Sequence, residues 1–162
     1  MRPRPAVPLE LTLGVIKPSV AAHQPHVQEI MQTVKRSGFE IVRSKRLFWS
    51  EADAEEFYGE HKGRFYFPRL VQHATSGPFA ALALCAPDAI KQWRALIGPT
   101  KVFRGQWEAP DSLRARYGLS DTRNGFHGSD SPESATKELG QIFEGWDVRW
   151  WLEQRNKGAD MS

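Results

Sequence analysis

The chain is poor in cysteine, in long apolar runs and in charge of one sign, and each shortage closes a class. One cysteine, Cys85, in 162 residues leaves no internal disulfide framework and fits a reducing compartment. Flanked by Leu84 and Ala86, it reads as a buried thiol rather than a nucleophile. No apolar run reaches the roughly 18 residues of a spanning helix and none has the form of a signal-peptide core, so no membrane partner is expected. Lysine and arginine number 22 against 19 aspartates and glutamates, a formal net charge of +3, with the acids mixed throughout. That suits a solvated surface or an anionic small substrate, and not the basic stripe of a nucleic-acid binder. Gly-x-x-x-x-Gly-Lys, kinase Gly-rich and Rossmann loops are all missing, so any phosphate must be held by side chains. No Cys/His/acid set has zinc spacing; His23 and His26 lack further ligands and suit a solvated helix start.

What is present fits one domain of ordinary size, 40 % hydrophobic and 25 % charged, without internal repeats. Residues 1–8 are basic and Pro-rich, a disordered lead-in whose prolines defeat an amphipathic targeting helix. The expected compartment is therefore intracellular and cytoplasmic, with a mitochondrial one left open. Residues 9–153 form the domain and 154–162 a polar tail. Within it, 9–16 is an apolar strand ended by Lys17-Pro18. Val27, Ile30, Met31 and Val34 recur at helical spacing until Ser37-Gly38, and 39–49 has the composition of a strand. Ser50 with Asp53 opens a helix as a capping box, and a further short helix starts at Pro68. A third strand covers 79–85. A helix over 88–97 carries Ala89, Trp93, Leu96 and Ile97 on one face, and an irregular segment runs over 98–111. The His127 region is a short final strand, and Ala135, Leu139, Ile142 and Phe143 mark a closing helix. The order β-α-β-(α)-β-α-β predicts an α+β fold, a ferredoxin-like split-βαβ antiparallel sheet with helices on one face.

The segment Asn124-Gly-Phe-His-Gly-Ser-Asp-Ser131 holds the clearest chemistry. His127 between a small apolar approach and a glycine can act as a nucleophile, since a neutral imidazole attacks electrophilic phosphorus without a strong base. Gly128 leaves room for a bulky substrate, and Ser129 offers a donor or acceptor near the ring. Lys17, Arg94, Arg114 and Arg123 are each ordinary surface cations taken singly. Gathered at one end of a sheet, they form the cationic cluster that phosphoryl transfer requires.

Those residues carry a resemblance to a known family. The chain is similar to nucleoside diphosphate kinases, and within them to the divergent type-6 branch. The similarity covers roughly residues 9–143. It rests on Ile16-Lys17-Pro18, on Gly63-Arg-Phe-Tyr-Phe67 with Leu70-Val71, and on Ser76-Gly-Pro78. It continues through Trp93-Arg94 with Gly98-Pro-Thr100, Asp111-Ser-Leu-Arg114 and Asp121-Thr-Arg-Asn124, and ends on His127-Gly-Ser-Asp-Ser131. The resemblance implies a kinase that passes the γ-phosphate of ATP to nucleoside diphosphates by a ping-pong route through a phosphohistidine at His127. It implies phosphate and ribose contacts from Lys17, Arg94, Thr100, Arg114 and Asn124, and a base stacked on Tyr66. Tyr58 would line the site and bond the lysine, and Ser129 and Glu138 would support the histidine. Glu138 can hold one ring nitrogen and so fix the tautomer. A stacking platform tolerates any base. Mg²⁺ is implied as the cofactor, carried on the nucleotide phosphates rather than in a protein cage.

Three features depart from the ordinary family pattern. Tyr66 stands where phenylalanine is usual, thirteen residues rather than a few less separate Thr100 from Arg114, and the tail is short before its Trp-rich end. Because that loop and tail build subunit contacts in ordinary members, a monomer or dimer is expected rather than a hexamer, with Phe103 and Trp107 free for a different protein. Two functional readings therefore stand: an active NTP-forming kinase, and a weakly active interaction module that keeps the kinase fold. In the second, Trp146, Trp150 and Trp151 are exposed anchors; in the first, they dock the tail on the domain.

Overall fold

The computed structural model describes residues 7–120 and 124–160. Most of the lead-in, and Arg123 of the expected cationic cluster, lie outside those residues. β1 (Leu9–Ile16), β2 (Glu40–Leu47), β3 (Phe79–Pro87) and β4 (Phe126–Gly128) form a four-stranded sheet in the order β2-β3-β1-β4. Every pairing is antiparallel, as the ferredoxin-like α+β reading requires.

Helices cover both faces of this sheet rather than one. Ile16, Leu82, Leu84 and Ala86 face a cluster completed by Val20, Ile30, Val34, Trp93 and Leu113. Leu11, Leu13, Val15, Ala81, Ala83 and Cys85 face a second cluster with Leu139, Ile142 and Val148. The physical reason lies in β1 and β3 themselves. β3 is apolar at every position, and β1, although its leucines alternate with Glu10 and Thr12, still carries buried Thr12, Gly14 and Ile16 on its other face, so both strands bury both faces. The Cys85 thiol lies in the second cluster, where burial raises its pKa and leaves it inert.

α1 (Pro18–Ala21) and α2 (Gln24–Arg36) follow β1; α3 (Glu51–Phe57) and α4 (Phe67–Ala74) bridge β2 to β3; α5 (Ala89–Ile97) follows β3. Ser50 and Asp53 form the expected capping box. The stretch read as irregular, 98–111, contains one short helix, α6 (Val102–Glu108), and a second, α7 (Leu113–Tyr117), follows it. α6 buries only Val102 and Gly105, too few and too close for a readable periodicity, and its internal glycine is a poor helix former.

α8 (Pro132–Ile142) is capped by Ser131, whose Oγ accepts from the Ser134 N–H at 3.1 Å. α9 (Val148–Asp160) then extends helically through most of the segment read as a polar tail. Trp146 and Trp151 pack into the second cluster, with Arg43 stacked over the Trp146 ring. Asn156 accepts from the Leu9 N–H and donates to its carbonyl. The tail is therefore docked on the domain, and of its three tryptophans Trp150 is the one that stays largely exposed. No helix among the described residues is long and apolar enough to cross a membrane.

Candidate active site

His127 sits in the middle of β4, opposite Val15 of β1. Only three residues long, β4 is held by a side chain from outside the sheet. Trp93, fully buried on α5, donates its indole N–H to the His127 carbonyl at 2.9 Å. The indole lies over Gly14 and Gly128, which face each other across β1 and β4. A Cβ at Gly14 would meet the ring at 3.0 Å and one at Gly128 at 2.7 Å. Gly128 thus makes room for Trp93, not for substrate.

The imidazole is oriented by α8. His127 Nε2 lies 2.7 Å from Glu138 Oε1, which also accepts from Ser129 Oγ at 2.9 Å. The Leu13 N–H donates in turn to Ser129 Oγ, tying the triad to β1. With Nε2 donating to the carboxylate, the neutral ring keeps its lone pair on Nδ1. Phe57, absent from the sequence reading, packs edge-on against the imidazole with ring centroids 5.0 Å apart.

His127 opens into a cleft of about 1290 Å³. Lys17, Tyr58, Tyr66, Arg94, Thr100, Arg114, Asn124 and Glu138 all line it. Ser129 stands behind the wall, fully buried, and touches the cleft only through its bond to Glu138. The cations have distinct supports. Arg114 Nη1 donates to the Gly98 carbonyl at 2.7 Å, Nη2 to the Phe126 carbonyl at 3.0 Å and Nε to Asn124 Oδ1 at 3.2 Å. Gly98, at φ +82°, ends α5 in a conformation that disfavours side chains and turns its carbonyl toward that guanidinium. Burial, then the like charge of Arg94, lowers the Arg114 pKa to about 10, still charged at neutral pH.

Lys17 is buried and donates to Asn124 Oδ1 at 3.3 Å. Burial, reinforced by Arg114, lowers its pKa to about 7. Arg94 and Thr100 are exposed at the rim. Tyr58 is buried, and burial followed by the Glu138 charge raises its hydroxyl pKa well above the ordinary tyrosine range. Among the described residues its hydroxyl makes no bond to Lys17, whose ammonium turns to Asn124 instead.

Sequence patterns missed other lining groups: His61, Phe65, Lys101 and Lys137. Phe65 falls inside the Gly63–Phe67 motif and His61 lies two residues before it, with no spacing that marks either as a site residue. Lys101 and Lys137 carried no signal beyond an ordinary surface charge.

A half-buried imidazole–carboxylate pair facing basic side chains across an open cleft is an arrangement suited to phosphoryl transfer. The family model for nucleoside diphosphate kinase matches residues 10–148, and the chain belongs to that family, a class of nucleotide-binding kinases. It is 49 % identical over 144 residues to nucleoside diphosphate kinase 6 of Danio rerio, covering 89 % of this chain and 82 % of the relative. To nucleoside diphosphate kinase 6 of Homo sapiens it is 45 % identical over 146 residues, covering 90 % and 78 %. These relatives bear the type-6 name that the motifs resemble. The nucleoside diphosphate kinase of Aquifex aeolicus superposes with a TM-score of 0.80 at 39 % identity, covering 85 % of this chain and 96 % of that one.

Proposed function

We propose that the protein transfers the γ-phosphoryl group of ATP to nucleoside diphosphates through a covalent phosphohistidine at His127, with broad base tolerance. The observation that carries this reading is the Glu138–His127 pair, which leaves Nδ1 as the free nucleophile at the floor of a cationic cleft. In the first half-reaction Nδ1 attacks the γ-phosphorus. The N–P bond forms as the bond to the β-bridging oxygen breaks, and the electron pair leaves with ADP. In the second, a terminal β-phosphate oxygen of the acceptor attacks the same phosphorus, the N–P bond breaks and the imidazole is restored.

Glu138 stabilises the ring as it becomes cationic, and Ser129 keeps that carboxylate in place. Lys17, Arg94 and Arg114 face the charge that grows on the equatorial oxygens. Thr100 and Asn124 add neutral contacts to phosphate and ribose, and Tyr58 walls the site. Tyr66 offers a ring face to any base.

Among the described residues no group of three or more His, Cys, Asp or Glu side chains is arranged to hold a metal ion. Glu138 is already engaged by His127 and Ser129. This lining suits Mg²⁺ that arrives on the nucleotide. Bound there, the ion neutralises charge on the diphosphate oxygens.

The reading of a low oligomeric state rests on the length of the loop 101–113 between Thr100 and Arg114. Phe103 is 70 % and Trp107 89 % exposed on α6, apolar rings left on the surface of the single chain. We read the protein as a monomer or dimer with this surface open to a protein partner. An NTP/NDP exchange assay tests the function: parallel double-reciprocal lines are expected, with exchange abolished in His127→Ala. Exchange at the wild-type rate in that variant would refute the mechanism.

A further inference from the structure

The ring assigned to the base platform is tethered by a contact that phenylalanine cannot make. Tyr66 Oη lies 2.7 Å from His61 Nδ1, and the two rings meet edge to face with centroids 5.4 Å apart. His61 ends the single 3₁₀ turn Gly59–His61 that follows Tyr58, and Tyr66 is the residue before α4. The backbone on both sides is held: the Arg64 N–H donates to the His61 carbonyl, and the Leu70 N–H to the Tyr66 carbonyl. What remains free is rotation of the Tyr66 side chain. Phe65 packs on it edge-on but is itself 85 % exposed, a poor brace. Both His61 and Tyr66 line the cleft.

We infer that His61 is a positioning residue for nucleotide binding, holding the Tyr66 ring in its stacking orientation before substrate arrives. This rests on the base-platform role proposed above for Tyr66. A ring ordered in advance loses less side-chain entropy when a base stacks on it, so the benefit falls on binding rather than on the chemical step. The pair acts on the ring and not on the base edge. Purine and pyrimidine diphosphates therefore gain alike.

Steady-state exchange with ADP and CDP as acceptors tests this on Tyr66→Phe, His61→Leu, their double variant and His61→Asn. Removing either end of one net hydrogen bond is expected to raise KM about three- to tenfold while kcat stays within about twofold. The double variant should be no worse than the more damaging single change, because both remove one contact. His61→Asn keeps an acceptor close to the Nδ1 position and should recover most of the loss.

Multiplying effects, single variants with wild-type KM, an Asn variant no better than Leu, or clearly different factors for ADP and CDP would each overturn the inference. Tyr66→Ala separates it from the reading beneath it. If Tyr66→Ala raises KM while Tyr66→Phe and His61→Leu do not, the platform stands and the tether fails. If Tyr66→Ala leaves KM unchanged, the platform itself fails.

Discussion

Adding one methyl group at Gly128 should damage stability and catalysis together, through Trp93. A Cβ there would lie 2.7 Å from Trp93 Cδ1, 3.1 Å from its Nε1 and 3.4 Å from Arg94 Cγ. The indole has no direction in which to yield. It is fully buried, bonded to the His127 carbonyl and already tight over Gly14. Overpacking of this kind costs about 1–3 kcal/mol. For a chain of this size that is a fall in Tm of about 2–12 °C, taking roughly 2–4 °C per kcal/mol. Relief by outward movement of β4 would carry His127 with it, and a misplacement approaching 1 Å can cost about 10²-fold in rate. Gly128→Ala is therefore expected to lose at least about tenfold in kcat/KM along with its Tm. Calorimetry and exchange kinetics measure both. In a Trp93→Leu background the same methyl group should cost about 0.5 kcal/mol or less, since its obstacle has gone. A Gly128→Ala protein with wild-type Tm, or an equal penalty in both backgrounds, would refute the argument. If Gly128 instead made room for substrate, KM would rise without any loss of stability.

Lys17 gives a proton-linkage prediction. Its folded pKa of about 7 lies below its ordinary value of 10.5, so between those values the unfolded state binds the extra proton and this group's contribution to stability rises with pH. A bound phosphate favours the charged lysine, so calorimetry at pH 8 in buffers of different ionisation enthalpy should detect proton uptake on ADP binding, diminished in Lys17→Met. Tyr66→Ala should weaken nucleotide binding by about 1–3 kcal/mol with little preference among bases, measurable by titration with ADP, GDP and CDP. Arg94→Ala should reduce kcat more than affinity, because the equatorial charge it faces grows toward the transition state; an equal loss of binding at unchanged kcat would remove that role. Light scattering at micromolar concentration should give a monomer or dimer, and a stable hexamer would defeat the argument from the loop 101–113.

Much of this arrangement is legible in the sequence. β1 was readable because an apolar run ends at Lys17-Pro18, and the α3 start because Ser50 and Asp53 form a local capping pair. Both signals are contained in a few adjacent residues. The second helical layer was not anticipated, although the unbroken apolar sequence of β3 points to burial on both faces. α6 was missed because it is short and largely exposed, and α7 because its five residues are too few for periodicity to register. The His127 motif stood out, but the role of Gly128 did not. Its neighbour Trp93 is 35 positions away in sequence, and the space the glycine leaves is visible only once β1, β4 and α5 are assembled. The His61–Tyr66 bond was hidden in a different way: Tyr66 was noted as a departure in ring type, with no sign of what its hydroxyl meets.

The central claim is the covalent role of His127, and one labelling experiment bears on it most directly. The purified protein is incubated with γ-³²P ATP and Mg²⁺ in the absence of an acceptor, then digested and mapped. Stoichiometric label on His127 is expected, stable to base, lost in acid and discharged by added nucleoside diphosphate as labelled triphosphate. Exchange that proceeds at full rate with no labelled enzyme, or with label on another residue, would contradict it.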